Sequence, residues 1–143
     1  MLSSCVTESR MYPRQYSLKN ESNQVIKLKF YFKYDNQLVY GEIITLNNTE
    51  VFNGGVLETD QPHSNEINHP IINAFKSSDS LIVIYNDLKK STFSIGFNGD
   101  LSTPIERNPF RHGNYENLGN DDFQFTIMEE DYNNAEDCNG NCD

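Results

Sequence analysis

The chain has 143 residues, 36% of them hydrophobic and 12% aromatic, and its 11 Lys and Arg stand against 21 Asp and Glu for a net charge of −10. That is one domain's worth of chain, long enough to remove roughly two-thirds of its unfolded surface from water on folding. The acidity argues against nucleic acid and anionic lipid surfaces as partners, since both need clustered cations, and no apolar run of about 18 residues is present to span a membrane.

At the N-terminus, Leu2-Ser3-Ser4-Cys5 has the form of a bacterial lipobox. The motif is an aliphatic residue, two small residues and a Cys whose sulfur receives a diacylglyceryl group. It assigns residues 1–5 to the remnant of a lipoprotein signal and makes Cys5 the lipidation site. Such a signal carries a charged start and an apolar stretch ahead of the box. Only Met1 precedes Leu2, so the motif predicts a natural start upstream of Met1. The alternative is an accidental match with a free Cys. Residues 6–13 read as a tether, 14–135 as a single domain, and 136–143 as a tail holding a Cys pair.

Within the domain, a first strand is expected near Tyr16-Ser17-Leu18, followed by the turn cluster Asn20-Glu21-Ser22-Asn23. Ile26, Leu28, Phe30, Phe32 and Tyr34 alternate with Lys27, Lys29, Tyr31 and Lys33. A period of two is that of a strand with one face in the core. Leu38 to Leu46 reads as its hairpin partner. Glu50-Val51-Phe52 and Val56-Leu57-Glu58 flank Asn53-Gly54-Gly55 as a short hairpin. Residues 59–79 read as a long loop with a helical turn near Ile71–Phe75. Leu81–Tyr85 is a buried strand, and Phe93, Ile95 and Phe97 mark another. A second long loop covers 100–121. Phe123, Phe125 and Ile127 give a last strand, and Met128–Ala135 suits one or two acidic helical turns.

About seven short strands with turn clusters between them and no long amphipathic helix predict an all-β fold, an antiparallel β-sandwich with two long loops. A small β-barrel is the alternative that periodicity leaves open. Nineteen Asn suit many tight turns, although an AT-rich coding sequence would produce the same excess. With Cys5 lipidated, Cys138 and Cys142 remain, and an oxidising compartment lets them pair across Asn139-Gly140-Asn141. The rival reading, a metal or redox pair, lacks C-x-x-C spacing and a further ligand.

Several clusters invite chemistry. Asp60, His63, Glu66 and His69 fall at steps of three and would share a helix face as zinc ligands, but Pro62 interrupts the run and Pro70 ends it. Asp137, Asn139, Asn141 and Asp143 alternate like the start of a calcium loop. Such a loop needs Gly at its sixth position and a bidentate Glu at its twelfth; here the sixth is Cys142, and only adventitious calcium binding is left. No metal and no cofactor are expected. Asp121-Asp122 and Glu129-Glu130-Asp131 read as solvated acids rather than a catalytic pair, which needs two carboxyls across a cleft. No G-x-S-x-G and no Cys beside a His offers a nucleophile.

Pro109-Phe110-Arg111-His112-Gly113-Asn114-Tyr115 is the densest candidate, and Phe110, Arg111, His112 and Tyr115 are the binding residues it suggests. Aromatics and Arg suit contact hot spots on loops. Equally, Phe110 and Tyr115 can tuck into the core and pin the loop. The chain has no Trp for glycan stacking.

The lipobox, the Asn-rich composition, Asp79–Val83 with Asn86–Lys89, Arg107-Asn108-Pro109 and Glu130–Ala135 resemble segments of small uncharacterised outer-membrane lipoproteins of the Bacteroidota. The resemblance implies an outer-membrane lipoprotein with an all-β domain and carries no catalytic residues. Surface-exported members tend to have an acidic cluster soon after the lipidated Cys; here only Glu8 lies near, followed by Arg10, which leaves the periplasmic and surface faces both open. The sequence thus leads to a lipid-anchored binding or assembly module without enzymatic activity, partnered by the membrane through Cys5 and by an envelope protein complex, with no nucleic acid. A glycan or small-ligand module serving uptake is the alternative, and a hydrolase the third.

Overall fold

The structure, a computed structural model, describes residues 12–59, 71, 74–95 and 107–143. Among these residues the chain is nearly all β and forms two packed sheets, a β-sandwich and not a closed barrel. The smaller sheet has the order β5-β1-β9-β8, with β1 at Tyr12–Glu21, β5 at Val51–Thr59, β8 at Glu116–Gly119 and β9 at Asp122–Met128. The larger has the order β10-β7-β6-β2-β3, with β2 at Ile26–Phe32, β3 at Gln37–Leu38, β6 at Ser80–Tyr85, β7 at Lys89–Ser94 and β10 at Glu136–Asp137. A further strand, β4 at Ile44–Leu46, also pairs β2, and a short helix, α1, spans Glu129–Asn133.

Alternation drives the packing. Ile26, Leu28 and Phe30 of β2 meet Leu81, Val83 and Tyr85 of β6 and face Tyr16, Leu18, Phe123, Phe125 and Ile127 from the smaller sheet, all in one core. Phe30 stacks on Phe75 at 5.1 Å and tilts against Phe52 at 5.6 Å. Large rings fill the space between sheets with few side chains, which is how a chain of modest apolar content closes a core. Asn serves the turns: Asn23, Asn36, Asn86, Asn120 and Asn139 all have positive φ, a region this side chain tolerates.

The expected β-sandwich is present, with one strand pair that departs from the antiparallel rule and several local expectations that need correction. The sheets are not wholly antiparallel, because β1 runs parallel to β9, placing Tyr16 beside Phe123 and Leu18 beside Phe125. Asn53-Gly54-Gly55 is not a hairpin turn: β5 continues through it, and the shift from Tyr16↔Gly55 to Ser17↔Asn53 leaves Gly54 as a bulge. A Cβ on Gly54 would lie 2.2 Å from the Phe75 ring, so the glycine is required by close approach. The segment 38–46 is broken into β3 and β4, because Val39 and Tyr40 both pack on the core and two consecutive inward side chains violate the pleat. The region 100–121 is no single loop, since β8 lies inside it. In addition, β1 begins at Tyr12, inside the segment read as a tether, and β10 joins the tail to β7 through Glu136↔Lys90 and Asp137↔Lys89.

Candidate functional site

The aromatic loop is built from Asn108 upward. Asn108 is fully buried; its Oδ1 accepts from Phe110 N at 2.9 Å and its carbonyl accepts from Asn114 Nδ2 at 3.0 Å. These bonds fold 108–115 back on itself, with a 3-10 turn at His112–Asn114. Phe110 is 1% exposed and joins the core, while Ile71 N donates to its carbonyl at 2.6 Å. Tyr115 is also buried, and its hydroxyl donates to Pro109 O at 2.6 Å. The core-pin reading therefore describes Phe110 and Tyr115, and neither is a contact surface. Arg111 is half-buried, with Nε shielded from solvent and without a hydrogen-bond partner.

His112 is buried too. Its Nδ1 shares a 3.0 Å hydrogen bond with the Tyr16 hydroxyl, and its ring meets Phe123 at 4.8 Å. Tyr16 packs edge-on against Tyr115 at 5.3 Å, and the Arg14 guanidinium lies 5.9 Å from the Phe123 centroid. Burial pushes the Tyr16 phenol up, partly offset by the Arg14 cation. Burial pushes Tyr115 well above the ordinary phenol value, with Tyr16 adding to the effect. Both phenols thus stay neutral and act as hydrogen-bonding posts between the sheets. The arrangement locks the loop to β1 and β9.

The acidic run 129–131 has a structural use. Asp131 Oδ2 accepts from Met128 N at 2.7 Å and caps α1. Arg107 holds the same carboxylate through Nη2 and through Nε at 3.0 Å, donates to Thr126 O at 2.7 Å, and lies 4.4 Å over the Phe125 ring. At the C-terminus, Cys138 and Cys142 form a disulfide with Cα atoms 4.9 Å apart. Asn139 N and Asp143 N donate to Asp137 Oδ1 and Asn141 Oδ1, so two of the four oxygen donors of the imagined calcium loop close local turns instead. No cluster of His, Cys, Asp or Glu suited to a metal occurs among the described residues. Cys5 and the Asp60, His63, Glu66 and His69 set lie outside them.

A second region, at the C-terminal end of β1, holds residues whose sequence marks only a turn. Asn20 is 0% exposed, yet its side chain is fully engaged. Nδ2 donates to Gln24 O at 2.7 Å and Leu46 O at 3.1 Å, and Oδ1 accepts from Ser22 N and Ser22 Oγ. Its backbone N donates to Glu50 O and its carbonyl accepts from Thr49 N. One side chain thereby ties the β1–β2 turn to the β4–β5 turn. The signal that could have found the hub, a polar residue in phase with Tyr16 and Leu18, was hidden because Asn also begins a turn cluster.

No helix among the described residues is long and apolar enough to cross a membrane. Compared with known proteins, the chain matches no family model, no curated protein and no solved structure.

Proposed function

We propose that this protein is a lipid-anchored module of the bacterial cell envelope that binds or assembles with another envelope component and performs no catalysis. The observation that carries the placement is the Cys138–Cys142 disulfide, because such bonds persist in oxidising compartments. It removes two of the three cysteines and leaves Cys5 behind Leu2-Ser3-Ser4. A diacylglyceryl group on Cys5 leaves six residues, 6–11, before the start of β1 at Tyr12, seven Cα-to-Cα steps in all. At full extension that is a reach of about 25 Å, so the domain would sit against an outer-membrane leaflet, periplasmic or surface.

The test is the anchor itself. Expressed behind a lipoprotein leader, the chain should partition into the detergent phase and carry a diacylglyceryl mass on Cys5, and Cys5→Ser should move it to the aqueous phase. Aqueous partition of the wild-type chain would end the reading.

A glycan or small-ligand module serving uptake is favoured by a different observation. Tyr34 is 87% exposed at the β2–β3 connection, with Phe32 at 6.4 Å. An open aromatic face stacks on sugar rings. Tyr115 cannot serve, being buried. A glycan array whose signal disappears with Tyr34→Ala would support this reading, and a blank array would remove it.

A further inference from the structure

We infer that the outer face of the larger sheet is a docking surface for a protein partner whose contact region carries Asp or Glu. The strand registers define this face. Ile26, Leu28 and Phe30 of β2 pair with Tyr85, Val83 and Leu81 of β6 in the core, so the pairs between them look outward. One outward row runs Lys27, Ile84, Lys90 across β2, β6 and β7, and the next runs Lys29, Ile82, Thr92. Directly opposed side chains lie about 5 Å apart, so the rows make one continuous surface. Tyr31, paired with Ser80, starts a third row, and Lys29 Nζ lies 5.8 Å from its ring centroid. Lys33 N donates to Asp79 Oδ1 at 2.9 Å, which holds Lys33 just beyond the Tyr31–Ser80 pair.

Two features separate this face from an ordinary solvated one. The first is charge. The chain has 21 acidic residues for 11 Lys and Arg, so a surface cation readily finds a carboxylate, as Lys19 finds Glu21 and Lys27 finds Asp87. Lys29, Lys33 and Lys90 form no ion pair among the described residues. The outer face of the smaller sheet has the opposite sign, with Glu21, Glu58 and Asp122 set against Lys19. The second feature is an apolar floor. β6 carries Ile82 and Ile84 on its outward positions, where a solvated antiparallel sheet places polar residues. Ile84 is 5% exposed and Ile82 is half-buried. Lysine stems cover apolar surface while the ammonium group stays in water. An apolar centre inside a charged rim is the form of a protein interface, and a carboxylate that meets such a lysine with water excluded is held more strongly than in bulk water.

The charge pattern selects the occupant. Asp87 bonds Lys27, Glu136 lies opposite Lys90, and Asp79 stands beside Lys33. A uniformly anionic surface, whether a bilayer or a polyanionic glycan, would meet these carboxylates as well as the lysines. A folded protein can set its acids opposite Lys29 and Lys33 and keep them away from that border. A second copy carries the same net charge of −10 and is repelled at long range. The surface gives the binding-module reading its partner class, and rests on that reading for the existence of a partner.

The test places a photo-crosslinking amino acid at Thr92, beside Ile82, and as a control at Val56 on the outer face of the smaller sheet, both of them exposed. In the cells that make the protein, Thr92 should yield a discrete adduct with a different protein, and Val56 should not. The contact peptide, read by mass spectrometry, should carry Asp or Glu. Lys29→Glu with Lys33→Glu should lower the adduct at least fivefold, whereas Lys19→Glu, on the opposite face, should leave it within twofold, in proteins whose melting temperatures show them folded. Equal adducts from both positions, an adduct with a second copy, a glycan or a lipid, or a contact peptide without Asp or Glu would each overturn the inference. So would a yield indifferent to the Lys29 and Lys33 reversal, an equal loss with Lys19→Glu, or no adduct at all. The anchor is judged separately: a Thr92 adduct on a chain that stays aqueous leaves the docking surface standing without the lipid, and a lipidated chain without the adduct does the reverse.

Discussion

Two loop regions of this sandwich are held by opposite means. The segment 108–115 is pinned by rings, with Phe110 and Tyr115 in the core and His112 and Tyr115 set edge-on against Tyr16. The β1–β2 and β4–β5 turns are pinned by one buried amide, Asn20, with Ser22 completing its bonds. Phe110, His112 and Tyr115, which look functional in the sequence, are spent on packing, and the plain Asn and Ser of a turn cluster hold two turns together. An aromatic in a loop is worth more to the fold when buried, because ring burial contributes about twice what one hydrogen bond does.

The largest effect should come from emptying the ring-pinned loop. Phe110→Ala is expected to cost about 3–5 kcal/mol, read as a fall of roughly 10–15 °C in Tm. A loss under about 1 kcal/mol would mean that the loop is not held by the core. In the amide-pinned turns, Asn20→Ala strands Gln24 O, Leu46 O and the Ser22 donors, at an expected cost of about 2–3 kcal/mol in urea unfolding. Hydrogen exchange should quicken in residues 20–25 and 46–51 together, since the two turns share the hub.

Alkaline pH probes the buried phenols. A phenol whose folded pKa is raised keeps its proton after the unfolded chain has lost it, so the unfolded state gains as pH climbs. Burial pushes Tyr85 from 10.0 to about 12. Stability should be level below about pH 9 and then fall between the unfolded and folded values, by about 1.4 kcal/mol per pH unit for a buried tyrosine. Tyrosinate absorbance should show Tyr115 ionising only with unfolding.

Tyr115→Phe removes the hydroxyl that bonds Pro109 O and should cost about 1–2 kcal/mol, less than Phe110→Ala because the ring stays. The smallest effect is expected at the disulfide. Changing both Cys138 and Cys142 to Ser should shift global stability by less than about 1 kcal/mol, because the ring closes only a short terminal segment. Faster exchange of the Cys138 amide, which donates to Leu88 O at 2.9 Å, would show the loss to be local.

Much of the larger sheet was legible from alternation alone. Ile26, Leu28 and Phe30 face inward as their period requires, while Tyr34, in the same phase, lies beyond the end of β2 and is exposed, and Leu81–Tyr85 lies in the sheet's interior. The bulge at Gly54 was not, because its cause is a Phe75 ring that arrives from more than twenty residues away. Nor was the parallel pairing of β1 with β9, which depends on the route of the intervening chain. The loop 109–115 is dense in aromatic and polar side chains, and the structure buries Phe110, His112 and Tyr115. Its two readings were equal in sequence because a buried and an exposed aromatic have the same local pattern. Asn20 was passed over for the same reason, since a turn-forming Asn and a buried hub look alike until their neighbours are known.

By itself the sequence determined the all-β class and the net acidity, and raised the expectations of a Cys138–Cys142 pair and of a lipid on Cys5. These rest on composition, period and short spacing, which are local. Only the tertiary structure decided which polar residues are buried, which loop is core and where apolar side chains remain outside. Those depend on contacts between residues distant in the chain, such as Tyr16 with His112 and Asn20 with Leu46. A buried polar group is tolerated only where such contacts satisfy it.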